Sequence, residues 1–85
     1  MISTTEARSR LRAYIRGVLL AGSQIPFGDD DPLFSGGILD SFSLAEIGVW
    51  LEQELGLYIP DGELTVDRMD SVNQMVAQAL RAGQR

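Results

Sequence analysis

The sequence predicts an all-α fold: a small bundle of three main helices and one short helix, with a long loop between the first two helices. Three observations support this prediction. Apolar residues recur at steps of three and four along much of the 85-residue chain, and serine or aspartate stands where helices would begin. No stretch of alternating apolar and polar residues is long enough to build a sheet. We expect a single domain over residues 1–85, and a monomer.

The first helix is expected from about Thr4 to Ala21. Ser3 and Glu6 fit a capping box, in which the serine oxygen and the glutamate carboxylate bind free amide groups of the first turn. Gly22 is a suitable stop for this helix. One apolar stripe at helical spacing is predicted to be buried, and it consists of Ala7, Leu11, Tyr14, Ile15, Val18 and Leu19.

A long loop follows, from about Gly22 to Leu39. It contains turn-forming signals, among them three consecutive aspartates at 29–31 and the pair Gly36-Gly37. Apolar residues are interleaved with these signals: Ile25, Phe27, Leu33, Phe34, Ile38 and Leu39. So many apolar side chains predict a loop that packs onto the core rather than a free linker.

The second helix is expected from Ser41 to about Leu55, with Asp40 as its N-cap and Gly56 as its stop. At helical spacing its apolar residues separate into two faces. The face expected in the core consists of Leu44, Ile47, Leu51 and Leu55. The opposite face carries Phe42, Ala45 and Val49, and Ser41 lies on its flank. This second apolar patch is either covered by loop residues or a docking surface for partners.

The segment from residue 61 to residue 70 is interpreted as a short helix or turn, with one turn around Val66 to Met69. The last helix is expected to begin near Ser71, where Ser71 and Gln74 fit a second capping box. Its buried face is predicted to consist of Val72, Met75, Val76, Ala79 and Leu80. Residues 82–85 are expected to fray.

Charge is distributed unevenly along the chain, whose formal net charge is −5. Four arginines and Glu6 give residues 1–16 a charge of +3, whereas eleven acidic residues and Arg68 give residues 29–70 a charge of −10. The acidic block disfavours binding to nucleic acid. It either attracts partner proteins with basic surfaces or simply aids solubility. Without a signal-peptide pattern or a membrane-length apolar run, we expect a cytoplasmic protein that does not bind membranes.

The residue types argue against an enzyme. The chain contains no histidine, cysteine or lysine, so the usual bases for a serine nucleophile and the usual zinc ligands are missing. Paired carboxylates remain chemically possible, but so small a domain rarely encloses a pocket that raises a carboxyl pKa. We therefore predict no catalytic residue and no metal ligand.

The chain resembles the acyl carrier and peptidyl carrier family on three motifs. GILDSFSLAEI at residues 37–47 is similar to the family's phosphopantetheine attachment site. DPLF at residues 31–34 is similar to its acidic loop, and ELGLYIPD at residues 54–61 to the end of its second helix. The resemblance covers nearly the whole chain and implies an acyl-carrier-like helical bundle.

By this resemblance, Ser41 receives 4'-phosphopantetheine from coenzyme A through a phosphopantetheinyl transferase. Asp40 would cap the helix and help to position the transferase's metal-bound substrate. The positions at which carriers contact partner enzymes are matched by Phe42, Ala45, Glu46 and Val49. The implied function is to hold acyl or aminoacyl intermediates as thioesters. The other implied partners are an acyl or aminoacyl ligase, or an acyltransferase, and downstream synthases.

Physical chemistry supports the same role for Ser41. A carrier needs an exposed hydroxyl that is fixed in direction, and the positive end of a helix dipole suits a nearby phosphodiester. Phe42 and Ser43 stand where the fatty-acid carriers usually have leucine and often an acid, and residues 63–72 look more like discrete specialised carriers. The cargo could belong to fatty acid, polyketide or nonribosomal peptide biosynthesis. The alternative is a helical interaction module without a prosthetic group, in which Ser41 is an ordinary capping serine.

Overall fold

The computed structural model describes residues 2–21 and 23–83. Helix α1 spans Thr4–Tyr14 and continues as a π-helical turn over Ile15–Leu19. Helix α2 spans Ser41–Leu55, two short 3-10 turns cover Asp61–Glu63 and Val66–Arg68, and helix α3 spans Val72–Gly83. No strand occurs in the described residues, and the predicted all-α bundle with a long loop before α2 is confirmed.

The start of α1 follows the prediction, but its end does not. The Ser3 hydroxyl accepts a hydrogen bond from the Glu6 amide at 3.0 Å. Beyond Tyr14 the helix widens, and the Leu20 N–H donates to the Ile15 carbonyl at 2.8 Å. The predicted burial of Val18 is wrong, since its side chain is 59% exposed. A π-helical turn holds more residues than an α-helical one, so Val18 rotates away from the core while Leu19 and Leu20 pack against it.

Helix α2 begins and ends at the predicted residues. Asp40 caps its first turn, and Gly56 ends it in the left-handed conformation at φ 69° and ψ 23°. The Gly56 N–H donates to the Glu52 carbonyl at 3.1 Å, and the Leu57 N–H donates to the Leu51 carbonyl at 3.0 Å. On the core-facing stripe, Ile47 and Leu51 are buried, and Leu44 and Leu55 are partly buried against the same core.

The start of α3 is a modified capping box, whereas at α1 only the serine hydrogen bond of the predicted box forms among the described residues. The Ser71 hydroxyl accepts from the Gln74 amide at 3.1 Å. The Gln74 side chain reaches back to the N–H of Asp70 at 2.8 Å, one residue earlier than in the usual box. The predicted buried face is confirmed, with Leu80 only partly buried. The second 3-10 turn matches the predicted short helix, and the first adds a turn that was not predicted.

One core joins all three helices and the loop before α2. Its buried apolar residues are Ala7, Leu11, Ile15, Phe27, Leu33, Leu39, Ile47, Leu51, Leu57, Ile59, Met69, Val72, Met75, Val76 and Ala79. Burial of large aliphatic side chains contributes about 1.5–3 kcal/mol each, which makes this cluster the main source of stability. α1 and α3 pack directly against each other.

The loop before α2 packs onto the core as predicted, although Ile25 is exposed. Arginines from the α1 segment hold its first half. Arg12 forms an ion pair with Asp29 at 2.8 Å and donates to the Phe27 carbonyl at 3.1 Å. The guanidinium groups of Arg12 and Arg16 each lie 4.6 Å from the centre of the Phe27 ring. The basic N-terminal segment therefore holds the loop at Asp29 and Phe27.

Two expectations fall at the edges of the described residues. The helix stop predicted at Gly22 lies outside them. Of the residues expected to fray, 82 and 83 continue α3, and 84 and 85 lie outside the described residues. Within residues 2–21 and 23–83, no helix has the length and apolar character that a bilayer crossing requires.

Candidate functional site

Ser41 is the first residue of α2 and is exposed. Its hydroxyl forms no hydrogen bond with the other described residues. The amide groups of Ser41 and Phe42 belong to the first turn of the helix, where an N–H has no intrahelical acceptor. A phosphate ester on this hydroxyl would therefore lie beside free donors and the positive end of the helix dipole.

Asp40 fixes the direction in which α2 begins. Its backbone is extended, at φ −97° and ψ 173°. Its Oδ1 atom accepts from the Ser43 amide at 3.1 Å and from the Ser43 hydroxyl at 3.2 Å. No described residue donates a hydrogen bond to the other oxygen, Oδ2, so this oxygen is free to meet a partner. The residues at this end of α2 fit a covalently attached phosphopantetheine.

The Ser43 side chain contributes to the N-terminal end of α2, a role that the sequence did not predict. It is buried, and its hydroxyl donates to Asp40. The spacing of Asp40 and Ser43 indicates this role, because a serine three residues after an aspartate N-cap can donate a second hydrogen bond to the same carboxylate oxygen. Its role here is to hold Asp40, and thereby the peptide that carries the Ser41 hydroxyl.

The four residues predicted to contact partners lie on the outer face of α2. Phe42 is 80% exposed and Val49 is 53% exposed, while Ala45 and Glu46 are also exposed. In the described chain, Phe42 is the most exposed of the large apolar side chains. The loop does not cover this face, which excludes the first of the two interpretations given for the patch.

Two open grooves flank the ridge formed by Ala45 and Val49. The larger, of about 370 Å³, lies toward α1, and its floor is the stacked pair Tyr14 and Trp50, with ring centres 4.8 Å apart. Burial, with a smaller contribution from the Glu46 carboxylate, raises the pKa of Tyr14 above its usual value. From the sequence, Tyr14 was expected only in the core and Trp50 had no predicted role.

The smaller groove, of about 190 Å³, lies between α2 and the first 3-10 turn. Gly48 lies at its base, and a Cβ atom at this position would be 2.8 Å from a terminal methyl carbon of Leu64. Glycine therefore lets the chain after α2 approach the helix closely. Ala45 and Val49 line both grooves, so a partner seated on the ridge can reach apolar surface on either side.

The charge around this face is negative. Glu46, Glu52 and Asp61 line the grooves, and none of them forms an ion pair with a described residue. Arg10 pairs with Glu54, a fourth carboxylate lining the larger groove, while the other three arginines of residues 8–16 bind Asp29, Asn73 and carbonyl groups of the loop. Unpaired carboxylates around an apolar ridge favour partners with basic side chains. The described residues hold no group of three or more side chains placed to bind a metal ion.

The family model described as "Phosphopantetheine attachment site" matches residues 9–79, which include α2, the loop before it and the start of α3. No curated protein matches the chain. Domains of this family are non-catalytic carriers to which 4'-phosphopantetheine is covalently attached, and which interact with a phosphopantetheinyl transferase and biosynthetic enzymes. The chain belongs to the phosphopantetheine attachment family of carrier domains.

Proposed function

We propose that Ser41 is the residue to which 4'-phosphopantetheine is attached. The chain then carries acyl or aminoacyl intermediates as thioesters between the enzymes of a specialised pathway. The observation that carries this proposal is the Ser41 hydroxyl: it is exposed, without a hydrogen bond, and placed at the first turn of α2. The phosphopantetheine arm ends in a thiol, which supplies the thioester chemistry once the arm is attached to Ser41. The chain itself supplies a fixed point of attachment and a recognition surface.

Attachment would be a phosphoryl transfer in which a transferase provides the catalytic groups. The Ser41 oxygen attacks the coenzyme A phosphorus that bears the pantetheine, and a new P–O bond forms. The bond from this phosphorus to the bridging oxygen breaks, so that adenosine 3',5'-bisphosphate leaves with the electron pair. The serine proton passes to a base of the transferase. Asp40 holds the start of the helix through Oδ1, and its Oδ2 would be available to help position the transferase's metal-bound donor.

The proposed partner surface consists of Phe42, Ala45, Glu46 and Val49. It serves the transferase, the ligase or acyltransferase that loads the arm, and the downstream synthases. The exposed apolar ridge offers surface that a partner can bury on binding. The unpaired carboxylates beside it attract partners with basic side chains. The residue changes at Phe42 and Ser43 relative to fatty-acid carriers support a specialised pathway and a cargo other than bulk fatty acids.

Attachment is tested by the intact mass of the purified protein after incubation with coenzyme A, Mg²⁺ and a broad-specificity phosphopantetheinyl transferase. We expect one phosphopantetheine increment in the wild type and none in Ser41→Ala, which should stay folded because its hydroxyl has no partner. Ser9→Ala, at an exposed position of α1, is the matched control and should be modified like the wild type. An increment in Ser41→Ala would place the attachment elsewhere.

The partner surface is tested by Val49→Asp. Val49 is 53% exposed, so this change should alter the free energy of unfolding by no more than about 0.5 kcal/mol. It should lower the rate of modification by the transferase, because a charge in the middle of an apolar ridge must be desolvated on docking. A rate equal to that of the wild type would remove Val49 from the surface that the transferase contacts.

A further inference from the structure

Asp70, the second residue before α3, makes hydrogen bonds to the loop that leads into α2. Its carboxylate Oδ1 accepts from the amides of Phe34 at 2.7 Å and Ser35 at 3.0 Å. Its Oδ2 accepts from the Ser35 hydroxyl. Its backbone carbonyl accepts from the Leu33 amide at 2.6 Å, and its own amide donates to Gln74 at 2.8 Å. One residue thus joins α3 to three consecutive loop residues.

These loop residues are connected to Ser41 by a closed turn. The Leu33 carbonyl accepts from the amides of Ile38 at 2.9 Å and Leu39 at 2.8 Å. Leu33 and Leu39 are both buried, and Leu39 directly precedes the N-cap Asp40. The turn is tight, since a Cβ atom on Gly36 would lie 2.2 Å from the Pro32 carbonyl oxygen. Leu33 is therefore hydrogen-bonded to the residue that directly precedes the N-cap of α2.

Other contacts hold a different part of the loop. The Asn73 amide donates to the Asp29 carbonyl at 2.9 Å, and the Asn73 side chain donates to Asp30 at 2.7 Å. Arg12 likewise binds Asp29 and the Phe27 carbonyl. These contacts fix residues 27–30, whereas the hydrogen bonds of Asp70 fix residues 33–35, next to the turn that ends at Asp40.

We propose that Asp70 is a positioning residue for the modification of Ser41: by tying residues 33–39 to α3, it sets how the hydroxyl is presented to the transferase. The inference rests on the proposed function, since modification of Ser41 is the reaction it serves. Transfer requires the attacking oxygen to be aligned with the phosphorus, and small displacements of a reacting atom cost large factors in rate.

Three substitutions separate positioning from charge and from stability. Asp70→Ala removes the carboxylate that binds Phe34 and Ser35 and leaves the two backbone-mediated bonds possible. Asp70→Asn keeps one side-chain oxygen and should restore part of the function. Asp67→Ala is the matched control, because it removes the same charge from an exposed residue that makes no hydrogen bond with the described chain.

The first measurement is amide hydrogen exchange in the apo-protein. In Asp70→Ala we expect exchange about tenfold faster at Phe34, Ser35 and Leu39, with the amides of α1 and α3 unchanged, because the loss is local. The second is the kcat/KM of the transferase for each apo-variant with coenzyme A, under conditions in which circular dichroism shows the variant folded. We expect a decrease of about tenfold in Asp70→Ala, an intermediate value in Asp70→Asn, and no change in Asp67→Ala.

Two results would overturn the inference while leaving the proposed function intact. The first is faster exchange in the loop with kcat/KM equal to that of the wild type. The second is an equal decrease in Asp67→Ala, which would make charge the cause. If Asp70→Ala does not fold, Ser35→Ala is measured in its place. This change removes only the hydroxyl that donates to Oδ2 of Asp70, and it should also lower kcat/KM. Failure of the wild type itself to be modified would instead refute the proposed function.

Discussion

At the scale of single residues, the start of α2 depends on one carboxylate oxygen. Oδ1 of Asp40 accepts both the amide and the hydroxyl hydrogen bonds of Ser43. We expect Asp40→Ala to lower the free energy of unfolding by about 0.5–2 kcal/mol, the usual cost of losing an N-cap. Asp40→Asn keeps an acceptor oxygen and should lose only a fraction of this. Urea unfolding measures both variants, and equal losses in the two would show that the acceptor is not what matters.

The predicted phase of α2 is tested at Leu51, which is 1% exposed. We expect Leu51→Ala to lower the free energy of unfolding by about 2–5 kcal/mol, because truncation leaves a cavity between packed helices. Val49→Ala, two residues away on the exposed face, is the control and should cost no more than about 0.5 kcal/mol. Similar losses for the two variants in urea unfolding would mean that the helix does not present these faces as described.

At the scale of elements, α2 ends because Gly56 adopts a positive φ of 69°. We expect Gly56→Ala to lower the free energy of unfolding by about 1–2 kcal/mol, since a Cβ atom disfavours the left-handed region. Gly62→Ala is the control, because Gly62 has no positive φ and a Cβ there would meet no atom within 4 Å. Thermal unfolding of both variants checks this, and a Gly56 variant as stable as the Gly62 variant would contradict the assigned helix end.

The same scale shows why the end of α1 could not be predicted. Apolar spacing assumes a constant α-helical rotation per residue, and it correctly placed Ala7, Leu11 and Ile15 in the core. The π-helical turn changes that rotation after Tyr14 and moves Val18 to the surface. No residue within the π-helical turn is of a type that predicts it from the sequence.

At the scale of the whole molecule, Asp70 links the stability of the fold to pH. The hydrogen bond from the Ser35 hydroxyl, followed by the amides of Ser35 and Phe34, lowers the pKa of Asp70 against the opposing effect of burial. Below about pH 3.9, Asp70 is protonated in the unfolded chain but stays charged in the folded protein. The stability that the charged Asp70 contributes is therefore lost as the pH falls through the folded pKa.

We therefore expect the difference in the free energy of unfolding between the wild type and Asp70→Asn to shrink from about pH 6 to about pH 2. Urea unfolding at a series of pH values measures this difference. Asp67→Asn serves as the control for removal of a carboxylate at an exposed position without hydrogen bonds to the described chain. A difference that stays constant over this range would mean that the Asp70 hydrogen bonds do not favour the charged form.

Charge is also organised over the whole molecule. The sequence shows a basic N-terminal segment and an acidic remainder, but not which charges neutralise each other. In the fold, the arginines of the α1 segment bind the loop and the end of α2, while Glu46, Glu52 and Asp61 stay unpaired around the outer face of α2. Three carboxylates without an ion pair to a described residue therefore lie beside the surface proposed for partners.

Sequence alone was enough to predict the fold class, the bounds and caps of α2, the capping of α3 and the two faces of α2, because helical periodicity and capping depend on residues a few positions apart. The attachment motif is likewise local, and Asp40 and Ser41 adjoin each other in the chain. The sequence did not predict the π-helical turn, the Tyr14–Trp50 groove or the attachment of the loop to Asp70, which are visible in the fold. These features join residues about 35 positions apart or depend on packing between elements. The spacing of neighbouring residues does not predict such contacts.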